Sequence, residues 1–184
     1  MKTKLLVLAA FFLLTCDLQA AKLDKANLQN DSKGLIHLDF EALRKSKLGS
    51  TLINWTQAKE GKERIDEMLE GMGFNPFTAL NGMTISTNGE KENGILILKH
   101  SADTKKVLSY IKLADGYYET KHTSAGQKAL AYIHSVGKKR YSRDENQDDR
   151  GYISFVNKNT AVIAPSRKLT GDGIDLVKGL VGGK

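Results

Sequence analysis

Four histidines are the side chains best suited to acid–base or metal chemistry near neutral pH: His37, His100, His122 and His134. Each lies within or at the end of a segment predicted to be a β-strand, and none belongs to an HExxH motif. If these strands share one sheet, His100, His122 and His134 can approach one another and form a hydrolytic or metal-assisted site. Otherwise they are isolated polar positions on an exposed sheet face, which is the interpretation that the sequence favours.

A polar loop at residues 137–150 has the most unusual composition in the chain, GKKRYSRDENQDDR. Its first half is strongly basic, and a basic cluster attracts anionic partners through long-range electrostatics. If the chain has a partner-binding element, we expect it to be formed by four residues of this half: Lys138, Lys139, Arg140 and Arg143.

The second half of the same loop contains a candidate calcium site. Asp144, Asn146 and Asp148 have the spacing of the first oxygen ligands in an EF-hand loop. The sixth position is Asp149, where the turn of an EF-hand requires glycine, and the twelfth is Phe155, where a bidentate glutamate belongs. A solvated hairpin loop of mixed charge is therefore the simpler interpretation of these residues.

Motifs that bind cofactors are absent from the sequence. The glycines near its end, including Gly171 and Gly173, satisfy neither the dinucleotide-binding G-x-G-x-x-G pattern nor the P-loop pattern. The single cysteine is Cys16, so a chain processed after it has no disulfide, no cysteine nucleophile and no thiolate metal site. We therefore expect no cofactor.

The first twenty residues have the organisation of an export signal. Residues 1–4 are positively charged, and residues 5–14 form an apolar run that is too short to be a settled membrane anchor. We predict a signal peptide at residues 1–20, cleaved after Ala20. In an alternative, residues 13–16 (LLTC) resemble a bacterial lipobox. Cys16 would then be lipidated, and membrane contact is expected only in that case.

The composition limits the class of protein. The chain has 184 residues, of which 40% are hydrophobic and 27% are charged, with a formal net charge of +7. These values indicate one globular domain and exclude collagen-like, disulfide-framework and disordered low-complexity proteins. The positive charge serves solubility alone in the simpler interpretation, and in the alternative it attracts an anionic partner. Because an exported protein seldom meets nucleic acid, we expect an anionic envelope component or another envelope protein instead.

Hydrophobic periodicity predicts the element order β-α-α-β-β-α-β-β-β-β-α. After the first strand, one helix is predicted from Leu43 to Trp55 and a second on four apolar residues, Ile65, Met68, Leu69 and Met72. The predicted fold is α+β, a mostly antiparallel sheet with helices on one face. It has a ferredoxin-like βαββαβ core, extended by two hairpin strands and a C-terminal helix. Residues 21–33 are predicted to be a flexible linker, and residues 34–184 a single domain.

The opening of this domain resembles a loose pattern found in uncharacterised exported bacterial proteins. In that pattern a strand ends in Asp and is followed by a helix with the sequence L-R-x-S-x-L-G-x-x-L. The matching residues here are Asp39, Leu43, Arg44, Ser46, Leu48, Gly49 and Leu52. The resemblance implies an extracytoplasmic α+β domain, and it implies no activity or catalytic residue.

No complete catalytic set is recognisable, so the predicted function is that of an exported, non-enzymatic binding or interaction domain. Its predicted location is the periplasm or the exterior of the cell. One alternative is a cell-envelope hydrolase or metal-assisted enzyme that uses the strand histidines. The other is a lipid-anchored envelope protein, attached through Cys16.

Overall fold

Seven strands form one open antiparallel sheet in the order β1-β2-β3-β7-β6-β5-β4. The computed structural model describes residues 23–58, 62–63, 66, 75–123, 131–137 and 150–180. The strands are β1 (Gly34–Asp39), β2 (Leu80–Thr87), β3 (Gly94–His100), β4 (Tyr118–His122), β5 (Ala131–Val136), β6 (Gly151–Asn157) and β7 (Thr160–Ala164). The predicted α+β class with an antiparallel sheet is confirmed.

The described ranges contain five α-helices: α1 (Phe40–Lys45), α2 (Lys47–Gln57), α3 (Pro76–Ala79), α4 (Thr104–Lys112) and α5 (Arg167–Val177). Side-chain caps explain where four of them begin, and the cap of α2 is described with the corner below. Asp39 accepts a hydrogen bond from the Ala42 amide, Asp103 caps α4, and Ser166 caps α5. None of the helices in the described ranges combines the length and the apolar character needed to cross a membrane.

The helix predicted from Leu43 to Trp55 is two helices that meet at a corner. Ser46 ends α1 and caps α2, because its hydroxyl oxygen accepts a hydrogen bond from the Gly49 amide. The corner is so tight that a Cβ added at Gly49 would lie 1.8 Å from the carbonyl oxygen of Leu43. The next predicted helix falls outside the described residues at its four apolar positions, Ile65, Met68, Leu69 and Met72.

Two details of the predicted topology are wrong. In a ferredoxin-like sheet the first strand is central, whereas here β1 is an edge strand paired only with β2. The helices also cover both faces. Ile133 packs with Ile174 of α5, whereas the next residue, His134, lines a groove with α4. Because neighbouring strand residues point to opposite faces, we call these two sides the α5 face and the groove face.

The core of the domain lies on the α5 face. One buried cluster contains Ile95, Ile97 and Val162 from the sheet with Leu176 from the helix. The second cluster contains Ile133 and Tyr152 from the sheet with Ile174 from the helix. Removing each such aliphatic side chain from water contributes about 1.5–3 kcal/mol, so α5 stabilises both halves of the sheet.

Two glycines allow α5 to approach the sheet closely. A Cβ added at Gly173 would lie 2.5 Å from Val162 Cγ1 and 2.9 Å from Ile95 Cγ2, and both of those side chains are fully buried. A Cβ added at Gly171 would lie 2.6 Å from the His122 ring. The glycines that match no phosphate-binding motif therefore have a packing role.

The segment predicted to be a linker makes specific contacts with the domain in its described part, from residue 23 onward. A short 3-10 helix, Lys25–Asn27, lies against α5, and Asn27 is buried. Farther along, the side chain of Gln29 donates a hydrogen bond to Asn93, and the Lys33 amide donates one to the Thr87 carbonyl.

We predict that Gly173→Ala lowers the free energy of unfolding by about 1–3 kcal/mol, because the added methyl group overpacks a rigid interface. Helix propensity alone would give a change of about 1 kcal/mol in the opposite direction. Chemical denaturation measures the difference. Gly151→Ala is the matched control, since nothing lies within 4 Å of the Cβ added there. Unchanged or increased stability of Gly173→Ala would contradict the close packing of α5.

Candidate functional site

A groove of about 490 Å³ lies between α4 and strands β4, β5 and β6 on the groove face. The helix contributes Thr104, Leu108 and Lys112, whose spacing of four residues places them on one side. The sheet contributes five residues: Glu119, Ala131, Tyr132, His134 and Phe155. This volume falls in the range of small-molecule binding sites, and its lining combines aromatic and ionisable groups.

Contacts at both ends hold α4 over the sheet. At its first residue, the Thr104 hydroxyl donates a hydrogen bond of 3.4 Å to the carbonyl of Lys158, in the turn between β6 and β7. At its last residue, Lys112 Nζ lies 4.0 Å from Glu119 Oε2. Each end of the helix therefore has a contact with the strands or with the turn that joins them.

Glu119, Tyr117 and His134 form a hydrogen-bonded cluster at one end of the groove. The antiparallel register of β4 and β5 places Glu119 directly opposite His134. The Tyr117 hydroxyl lies 2.9 Å from Glu119 Oε2 and 3.0 Å from His134 Nδ1, and Nδ1 lies 3.3 Å from the same carboxylate oxygen. Three side chains from one hairpin thus share a single set of polar contacts.

The turn before β4 is built around a glycine that brings Tyr117 into position. Gly116 has a positive φ of 71°, and a Cβ added there would lie 2.2 Å from the carbonyl oxygen of Gly137. The Gly137 amide in turn donates to the carbonyl of Asp115. The base of the hairpin is therefore closed by backbone contacts beside the cluster, and only glycine fits at position 116.

The hydrogen-bond donors in the cluster can be assigned. Tyr117 has one hydroxyl proton, which it donates to Glu119. His134 Nδ1 faces two oxygen atoms, one of which already donates its only proton, so the favoured tautomer of His134 carries its proton on Nδ1. The unprotonated nitrogen of a neutral ring is then Nε2, which can accept a proton or a hydrogen bond.

Burial sets the protonation states of this cluster. Burial, the hydrogen bond to Glu119 and the charge of Glu119 raise the pKa of Tyr117 to about 12. Burial also lowers the pKa of His134 from its ordinary value of 6.5, with the charge of Lys112 adding to this effect and that of Glu119 opposing it. At pH 7 the tyrosine keeps its proton and the imidazole is neutral.

His100 lies against Phe155, one of the residues that line the groove. Its ring meets the Phe155 ring edge-on at 5.9 Å between centres, and His134 lies 6.5 Å from the same ring. The side chain is 4% exposed, and neither ring nitrogen makes a hydrogen bond of standard geometry within the described part of the chain. Burial lowers the pKa of His100, an effect that the backbone of Ala102 partly offsets.

The three-histidine site, which the sequence offers as an alternative, is not assembled. His100 and His134 contact one aromatic ring, but His122 lies on the α5 face, where its Nε2 is 3.0 Å from Asp175 Oδ1. His37 is farther away, on the β1–β2 edge beside Thr84. Within the described ranges, no three histidine, cysteine, aspartate or glutamate side chains are arranged to hold a metal ion.

The other predicted sites lie outside the described residues. They are the basic candidates Lys138, Lys139, Arg140 and Arg143, the calcium candidates Asp144, Asn146 and Asp148, and the lipidation candidate Cys16. Each of these sites stays a prediction from sequence.

Sequence reasoning missed Glu119 as a functional candidate and did not pair Tyr117 with His134. A signal for them was present in the predicted hairpin, whose centre at residues 124–127 places residues 117, 119, 132 and 134 on one face by alternation. The observed register differs by two residues from that symmetric pairing, which leaves the faces unchanged. The missing step was the pairing of a histidine with polar residues across the hairpin.

Comparison of the chain with protein-family models, with curated proteins and with solved structures gives no match. The assignment of a function therefore rests on the chemistry of this chain's own side chains. Fold-level similarity would in any case show architecture rather than activity.

We predict that stability falls as the pH is lowered below 6.5 and that His100→Leu reduces this loss. His100 has a lowered pKa in the folded state, so the unfolded chain takes up the proton first, and acid favours unfolding. One such group gives a slope of up to about 1.4 kcal/mol per pH unit between the two pKa values. Denaturation at pH 5–7 measures the slope.

The control for this variant is the same measurement at pH 8. There His100 is neutral in both the folded and the unfolded chain, so the difference in stability between His100→Leu and the unchanged protein reports packing alone. An unchanged slope in His100→Leu between pH 5 and 7 would contradict a neutral, buried His100.

Proposed function

We propose that the chain is an exported binding domain that holds a small saccharide-like ligand of the cell envelope in the groove beside α4. The observation that carries this proposal is the Glu119–Tyr117–His134 cluster, which presents fixed polar groups at one end of a groove with aromatic walls. Groups already held in place by one another cost little entropy to organise when a ligand binds.

The groove walls match the two surfaces of a sugar ring. Tyr132 is 46% exposed and, with Phe155 and Leu108, offers an apolar surface for the C–H face of a ring. Glu119 and Lys112 at the same end supply an acceptor and a donor for hydroxyl groups. A few polar groups within an apolar lining are what small-molecule recognition requires.

Charge favours an anionic member of this ligand class. Lys121 Nζ lies 5.9 Å from the centre of the Tyr132 ring, and Lys112 lies at the opposite wall. The chain as a whole has a net charge of +7, which attracts anions over long distances. An acidic envelope saccharide provides both the sugar ring and the negative charge. The basic residues proposed as a further contact for it are Lys138, Lys139, Arg140 and Arg143.

Hydrolysis is the second candidate function, and the His134–Glu119 contact is the observation that favours it. A histidine oriented through Nδ1 by a carboxylate has the arrangement of a general base. The aliphatic hydroxyl group that lines the groove belongs to Thr104. It donates its hydrogen bond to a backbone carbonyl and not to His134, so it is not arranged as a nucleophile. We therefore place binding ahead of hydrolysis, and turnover of the bound saccharide would reverse this order.

We predict that Tyr132→Ala weakens binding of the acidic disaccharide unit of peptidoglycan up to about tenfold, because a stacked aromatic face contributes about 0.5–1.5 kcal/mol. A titration followed by NMR of the backbone amides measures the affinity and shows which residues form the binding site. Tyr118→Ala is the matched control. Tyr118 of β4 is exposed as Tyr132 is, but it lies opposite Ser135 in the ladder and therefore on the α5 face.

Shifts at Tyr132, His134 and Glu119 that disappear in Tyr132→Ala and persist in Tyr118→Ala are the expected result. Absence of shifts up to millimolar disaccharide, or equal losses in both variants, would contradict the proposed groove ligand. Conversion of the disaccharide during the titration would favour hydrolysis.

A further inference from the structure

The outer side of α2 is an apolar surface on a helix that stands apart from the sheet. In the described part of the chain, the main contact of α2 is with α1. Leu48, Leu52 and Trp55 are spaced by four and three residues, which places them on one side of the helix. Their exposed fractions are 62%, 41% and 51%. We call these three residues the α2 stripe.

The stripe continues into an apolar pocket. Leu52 also lines a cavity of about 240 Å³ together with Phe40, Leu43, Ile53 and Phe77. Phe77 is itself partly exposed at 37%. A contiguous apolar surface of this kind on a folded domain marks a place where another apolar phase or partner is met.

The α1–α2 corner holds this surface rigidly. Arg44 Nη1 donates to the carbonyls of Phe77 and Leu80, at 3.1 and 2.6 Å, and so ties the corner to the start of β2. Ser46 and Gly49 close the turn between the two helices. The stripe is therefore presented by a fixed element rather than by a loose end.

Two positive charges lie at the start of α2. Lys45 and Lys47 are exposed at the start of α2, and residues 47–57 contain no acidic side chain. Exposed Ser50 and Asn54 form the polar side of the helix. Helices that lie in the plane of a membrane surface combine a Trp and Leu face with flanking lysines in this way.

We infer that the α2 stripe docks the folded domain on an anionic lipid bilayer. Leu48, Leu52 and Trp55 enter the boundary between headgroups and acyl chains, while Lys45 and Lys47 contact anionic headgroups. A helix of eleven residues is about 16 Å long, so contact through one side of it is shallow and reversible. This surface is independent of the groove and of Cys16, and it does not rest on the proposed ligand.

The only tryptophan of the chain, Trp55, lies in the stripe and reports on it directly. The full chain is mixed with vesicles of phosphatidylcholine alone or with one third phosphatidylglycerol. We expect the fluorescence of Trp55 to shift to the blue and to be quenched by lipids brominated near the headgroup, with the anionic vesicles only. Added salt weakens this binding, because the attraction is screened.

Substitutions separate the stripe from the rest of the molecule. Leu48→Ser with Leu52→Ser is expected to weaken binding at least tenfold, and Lys45→Gln or Lys47→Gln about fivefold each, from about 1 kcal/mol per charge at such a surface. Leu113→Ser is the control, since Leu113 is 82% exposed at the end of α4. Every variant carries the same N-terminus, and circular dichroism verifies that each is folded.

Three results would overturn the inference. One is a Trp55 that is shielded from aqueous quencher before vesicles are added, which would mean that another part of the chain or a second copy covers the stripe. Another is a spectrum that does not change with anionic vesicles. The third is equal binding by the Leu48/Leu52 double variant and by Leu113→Ser.

Discussion

The close approach of α5 to the sheet is the packing on which the rest of the domain depends. Both buried clusters include side chains of this helix, and Gly171 and Gly173 remove the Cβ atoms that would hold it away. Because α5 occupies one face of the sheet across β3, β5, β6 and β7, the groove and α4 lie on the opposite face. The division of the molecule into a structural side and a binding side follows from this contact.

On the groove face, strand alternation and register bring the reactive groups together. Glu119 and His134 are opposite each other in the β4–β5 ladder, and Tyr117 reaches both of them from the preceding turn. Partial removal from water, rather than the neighbouring charge, decides the protonation of His134, so the carboxylate orients the imidazole without making it cationic. The cluster is thus a set of neutral donors and acceptors beside one anionic carboxylate.

Local features of the fold are predictable from the sequence, and non-local ones are not. Strands are indicated by alternation, and helix starts by the capping residues Asp39, Asp103 and Ser166. Both signals involve only residues that are close together in the sequence. The order of strands depends on pairing between distant segments, so the element order predicts a ferredoxin-like core whereas the structure has β1 at the edge of the sheet. The corner at Ser46 depends on how closely α1 and α2 can approach at Gly49, which periodicity does not describe. The site was missed for the same reason, since Tyr117, Glu119 and His134 meet only across a paired hairpin.

Nitrogen NMR of the His134 imidazole tests the central claim, which is that the groove holds a neutral ring whose Nδ1 is engaged by Tyr117 and Glu119. The expected spectrum at pH 7 is that of a ring protonated on Nδ1 alone, and its titration gives a pKa below the ordinary value of 6.5. A ring protonated on Nε2, or a pKa above 6.5, would contradict the arrangement on which the proposed binding site is built.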